Sequence, residues 1–94
     1  MDIRVLQYFL AVAREQTVSG AAQSLHMTQP SLSKQLKALE DELGKQLFIR
    51  GSRHITLTQE GLLLRKRAEE IISLVERTRA EIRAADEHIA GDIY

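Results

Sequence analysis

Residues 18–57 read VSGAAQSLHM TQPSLSKQLK ALEDELGKQL FIRGSRHITL, and the order of signals within them decides the fold. Just upstream, Thr17 is an N-cap candidate for a short helix with Val18, Ala21, Ala22 and Leu25 inward, and the two small alanines let another helix approach closely. His26-Met27-Thr28 then reads as a turn. Thr28 can cap a second helix that opens Gln29-Pro30-Ser31, where proline fits because a first-turn N–H has no intrahelical partner to lose. At about 100° per residue, Leu36, Leu39 and Leu43 all lie within about 40° of Leu32, a tight core stripe, and Gly44 ends the helix. On the same count Pro30 falls at about 160°, Lys34 at about 200° and Lys37 at about 140°, so they face away from the core.

Two short runs follow, Leu47-Phe48-Ile49-Arg50 and His54-Ile55-Thr56-Leu57, rich in β-branched and aromatic residues, with Gly51-Ser52 between them as turn chemistry. They predict a two-stranded wing over about 46–57. Upstream, Asp2 can cap a helix whose apolar positions Ile3, Leu6, Phe9, Leu10 and Ala13 recur at helical steps and which stops near Gln16. Downstream, Thr58 with Glu60 in the next turn signals another helix start, and no convincing stop comes before Gly91. Some 30 residues of helix reach on the order of 45 Å, well beyond a globule of this size. The expected class is mainly α: a winged helix-turn-helix of three helices plus a two-stranded wing over 1–58, with the helix-turn-helix at about 18–37, followed by a long dimerisation helix over 59–90.

That last helix carries Leu64, Ala68, Ile71, Val75, Thr78, Ile82, Ala85 and Ile89 at alternating steps of four and three, the a/d spacing of a coiled-coil seam. Its other faces are charged, and no intrachain partner is expected to cover the apolar line. Fully burying each large aliphatic would contribute about 1.5 to 3 kcal/mol, so the seam predicts a homodimer through this helix. The period does not decide between parallel and antiparallel pairing. Core against a further domain is the competing reading, and the sustained period favours self-pairing.

Composition narrows the function. In 94 residues, 44% hydrophobic and 28% charged, there is room for one small domain with a modest core. Cysteine is absent, which removes disulfides and thiolate metal sites and makes a reducing cytosol the easiest home. No basic leader precedes an apolar run, and no apolar stretch approaches the roughly 20 residues of a membrane span, so the expectation is a soluble, unexported chain with no membrane partner. The formal net charge is zero. Its distribution is uneven, since the acidic excess lies beyond residue 57 and conceals a basic patch upstream that includes Lys34, Lys37, Arg50 and Arg53. A helix with an outward basic stripe beside a basic wing is built to enter the major groove of double-stranded DNA and meet the neighbouring backbone.

The residues Ala21-Ala22, Leu25 through Leu36, Leu39-Glu40, Leu43-Gly44, Leu47-Phe48, Arg50, Arg53, Leu57-Thr58 and Gly61 resemble the DNA-binding region of LysR-type transcriptional regulators, with the match running from about Leu6 to Leu64. The remaining helix is similar in length and position to that family's linker helix. The resemblance implies regulation of transcription, with Thr28, Gln29, Pro30, Ser31, Ser33, Lys34 and Lys37 forming the recognition-helix surface and Arg53 and Arg50 serving the wing. The chemistry fits. Gln29 can offer a bidentate amide to adenine, Pro30 an apolar surface to a thymine methyl, and Lys34 a donor to guanine or phosphate. Backbone N–H groups and the hydroxyls of Thr28 and Ser31 at a positive helix end suit a phosphate oxygen. Gly20, Ser31 and Lys34 depart from the residues frequent in the family. Lysine at 34 lacks the planar fork of arginine, which shifts that position towards phosphate contact. The resemblance also implies a large effector-binding domain after the linker, whose first strand would begin at 91–94, so a small-molecule inducer would act only through that C-terminal domain.

Each of these residues also has a plainer reading. Lys34 and Lys37 could lie on a solvated face, although their stripe holds Pro30 and no acid until Asp41. Arg53 could be surface decoration, and the stem of Arg50 could pack on the core or pair with Glu40 or Glu42. His26, His54 and His88 are spaced so that no two share a face as metal ligands, and no cofactor is expected. Glu40-Asp41-Glu42 reads as a solvated run pointing in different directions, without the pocket partner that acid/base work needs. No convergent nucleophile, base or metal set suggests an enzyme. The expected function is sequence-specific binding of a pseudo-palindromic operator in the cytoplasm, on the nucleoid, by a homodimer. The alternative is a winged-helix assembly module that touches only other proteins.

Overall fold

Three of the helix starts are tied by the side chains that the capping pattern singles out. In the computed structural model, which describes residues 1–91 with side chains through residue 85, α1 spans Ile3–Glu15, α2 Val18–Leu25 and α3 Gln29–Leu43. Asp2, Thr17 and Thr28 accept the N–H groups of Val5, Gly20 and Ser31 at 2.9, 3.0 and 3.2 Å, each satisfying a donor that the helix itself cannot. All three helices end on a left-handed residue, Gln16, His26 and Gly44.

Strands β1 (Phe48–Arg50) and β2 (Ile55–Leu57) pair antiparallel with Phe48 opposite Leu57, Ile49 opposite Thr56 and Arg50 opposite Ile55. One hydrogen bond ties the hairpin to the end of α1 and another closes its base. The Ile55 N–H donates to the Gln16 carbonyl at 2.7 Å, and the Thr58 N–H donates to the Leu47 carbonyl at 3.0 Å. Helix α4 (Gln59–Gly91) then runs out from the globule, and the molecule measures 60 × 26 × 19 Å. Thr58 anchors its start twice over, accepting the Gly61 N–H at 3.0 Å and donating its hydroxyl to the Gln46 carbonyl at 2.7 Å.

The core gathers Phe9, Ala11, Val12, Ala21, Ala22, Leu32, Leu36, Leu39 and Leu47. Phe9 meets Phe48 of the wing, ring centroids 5.3 Å apart and tilted by 44°, so the hairpin shares the helical core. Two expectations are corrected. Ala11 and Val12 are buried where a single apolar face would leave them outside, because α1 is touched by α2 and α3 and also by α4. Leu43 is 39% exposed and leaves the stripe, because the chain reverses at Gly44 and returns Leu47 to the core, where it is 1% exposed.

The first part of the α4 seam also differs from expectation. Ala68 is fully buried and Leu64 packs against the core, so the globule's own residues cover these two positions. Among the described side chains of this helix, Leu63, Leu74 and Ile82 are the large apolar ones left exposed beyond Leu62. Ile71, Val75 and Ala85 are half-buried and Thr78 is exposed, while Ile89 lies outside the residues whose side chains are described. No helix among the described residues is long and apolar enough to cross a membrane.

Candidate nucleic-acid interface

Leu32, Leu36 and Leu39 hold α3 by one side, which turns the opposite side outward. Gln29, Pro30, Ser31, Lys34 and Lys37 are all exposed, and Ser33 is half-buried. Thr28, also exposed, uses its oxygen to accept the Ser31 N–H. Its hydroxyl proton remains available to a phosphate. The Ser31 N–H, by contrast, is already engaged and Pro30 has none, so the backbone at the start of α3 offers less to an anion than the sequence suggested.

Packed beside α3, the wing puts a second group of polar residues within reach. Ser33, Lys37, Glu40, Gln46 and Arg50 line a groove of about 450 Å³ between the helix and β1, floored by Leu36 and Phe48. Arg50 is exposed and, among the described residues, makes no ion pair with Glu40 or Glu42. Arg53 is exposed in the loop between the strands, where the Gly51 N–H closes the turn on the His54 carbonyl at 2.9 Å. Gln29 and Lys34 lie outside the groove, nearer the start of the helix. The structure thus divides the expected contact residues between the first two turns of α3, the groove and the hairpin tip.

Of the three consecutive acids of α3, Asp41 and Glu42 are exposed, as a solvated run requires, and Glu40 is half-buried, but each has a partner. Glu40 accepts the Leu47 N–H at 2.7 Å and so fixes the entry to the wing. Glu42 pairs with the amino terminus of Met1 at 2.7 Å. Asp41 accepts from the Lys37 ammonium at 3.0 Å, and this hydrogen bond, reinforced by the carboxylate charge, lifts the Lys37 ammonium above its ordinary pKa. Among the described residues Lys34 has no carboxylate within ion-pair distance. Sequence reasoning missed the roles of Glu40 and Asp41, although the four-residue spacing of Lys37 and Asp41 was a readable signal. It also missed Leu74, which lines a shallow cleft with Ile71, Val75, Thr78 and Arg79.

Residues 3–62 match the model of a bacterial regulatory helix-turn-helix protein, lysR family. The HTH-type transcriptional regulator BsdA of Bacillus subtilis (strain 168) is 49% identical over 94 residues, which are 99% of this chain and 32% of that protein. The chain therefore spans about a third of the length of the curated relatives it matches. Among solved structures, the BenM DNA-binding domain in complex with benA site 1 DNA superposes with a TM-score of 0.88 at 40% identity, covering 92% of this chain and 97% of that one. The CbnR DNA-binding domain in its DNA complex gives a TM-score of 0.87, also at 40% identity, covering 92% and 99%.

Proposed function

The chain belongs to the lysR family of bacterial regulatory helix-turn-helix proteins, and on that premise we propose that it binds double-stranded DNA through α3 and the wing, as a homodimer, and regulates transcription. The observation that carries this reading is the outward side of α3, where Gln29, Pro30 and Lys34 stand exposed opposite the buried Leu32, Leu36 and Leu39. In this reading Gln29 and Pro30 meet base edges in the major groove. Thr28, Ser31, Ser33 and Lys34 serve base edges and phosphates along the same helix, with Lys37 on the same outward face but held by Asp41, while Arg50 and Arg53 serve the backbone beside it. The division of labour is a DNA-binding domain over 1–58 and a linker and dimerisation helix over 59–90. The chain does no catalysis itself, and its place is the cytoplasm, on the nucleoid. A small-molecule inducer acts only through chain beyond these residues.

Two copies paired through α4 bring two recognition helices to one duplex, which matches a pseudo-palindromic operator with one half-site for each copy. The exposed Leu74 and Ile82 support pairing along the outer part of α4, beyond the stretch that its own globule covers. Selection of bound duplexes from a random pool tests binding, symmetry and preference together. The expected outcome is an enriched dyad whose binding weakens log-linearly with salt and falls strongly when one half-site is scrambled. A pool that shows no enrichment, with binding indifferent to salt, would leave the assembly reading instead.

A further inference from the structure

On the outward face of α3, counting from Leu32 at about 100° per residue, Asp41 falls at about 180°, in line with Pro30, Lys34 and Lys37. Glu40 falls to one side at about 80°, and Glu42 to the other at about 280°. Asp41 is thus the one acid on the stripe that α3 turns outward. Its carboxylate holds the Lys37 ammonium at 3.0 Å while both side chains remain largely exposed.

Helix stability does not account for this placement. Asp41 stands in the last turn of α3, where a negative charge opposes the helix dipole, and lysine four residues before an acid is the weaker of the two orders for such a pair. What the pair does do is neutralise a cation facing the same way as Lys34. A phosphate approaching Lys37 meets the Asp41 carboxylate beside it, about 10 Å further along the helix than Lys34.

Resting on the reading of α3 as the DNA-facing helix, we propose that Asp41 is a negative affinity determinant: it withholds Lys37 from phosphate and confines the productive contact of α3 to its first two turns, Gln29 through Lys34. Lys37 then contributes little to binding in the native chain. The basic stripe seen in the sequence is shortened by one lysine.

The test measures binding of the full 94-residue chain to a fluorescent duplex carrying its selected site, and to a scrambled duplex, by anisotropy across a series of salt concentrations. Asp41→Asn should bind both duplexes about two- to five-fold more tightly at low salt, the size of a released exposed ion pair. Its log–log salt slope should steepen by about one, the signature of one added phosphate contact. Lys37→Ala alone should leave the slope of the native chain nearly unchanged, and in the Asp41→Asn background it should abolish the gain. An unchanged slope in Asp41→Asn, or a slope lowered by about one in Lys37→Ala alone, overturns the proposal while DNA binding stands. Failure of the parent chain to bind duplex in a salt-dependent way overturns both.

Discussion

The Glu40 carboxylate accepts the Leu47 N–H at 2.7 Å across the reversal that joins α3 to the wing. One acid of α3 thus sets where the hairpin begins. Leu47 is 1% exposed, and its carbonyl also accepts from Thr58, so both of its backbone polar groups are committed. Glu40→Ala leaves the part-buried Leu47 N–H without its acceptor, and the expected loss is about 1.5 to 3 kcal/mol in urea denaturation. Glu40→Gln keeps an acceptor oxygen and should recover much of that loss. Equal destabilisation by the two variants would show that the charge, not the hydrogen bond, holds the wing.

Gly61 is required by close approach rather than by backbone angle. A Cβ there would stand 2.2 Å from the Leu47 carbonyl oxygen, against backbone that two hydrogen bonds hold in place. Gly61→Ala should therefore destabilise the chain by about 1 to 3 kcal/mol, although alanine is the better helix former. The denaturation midpoint checks this directly. A neutral or stabilising result would mean that α4 can lift off Leu47 at little cost.

How much of this could be read from the residues depends on how local each cause is. The buried Leu32, Leu36 and Leu39, the caps at Asp2, Thr17 and Thr28, and the order of helix, turn, helix and wing all follow from patterns within a few positions. Leu43 follows the same period and is exposed, because its burial depends on where the chain goes after Gly44. Val12 is buried because α1 is enclosed by helices from both ends of the chain, which no periodicity within α1 encodes. The site divides the same way. The outward face of α3 was legible from its angular positions. The bond from Glu40 to Leu47 spans seven residues with no repeating pattern, and the coverage of Ala68 depends on how α4 lies on α1.

Gln29 and Lys34 should separate sequence reading from backbone affinity. Both are exposed near the start of α3, yet an amide can bond one adenine edge bidentately while an ammonium is a point charge. Gln29→Ala should cost about 1 to 3 kcal/mol on the selected duplex and little on a scrambled one. Lys34→Ala should weaken both duplexes alike and reduce the salt slope by about one. Binding curves for two variants on two duplexes decide it. A uniform loss from Gln29→Ala would remove it from base reading.

Along α4, Ala68 and Leu74 make opposite demands. Ala68 is fully buried by its own chain, whereas Leu74 is 51% exposed and Ile82 60% exposed on the part of the helix that runs beyond the globule. Ala68→Asp would bury a charge without a partner and should unfold the domain, at a cost above about 3 kcal/mol. Leu74→Asp with Ile82→Asp places charges on the exposed face through which the second copy is proposed to pair, so the domain should melt as before while sedimentation equilibrium shows a monomer. Loss of pairing should also remove the advantage of a two-half-site duplex over a single half-site, because one recognition helix reaches one half-site. If the doubly substituted chain stayed dimeric, the contact between copies would lie elsewhere than on this face of α4.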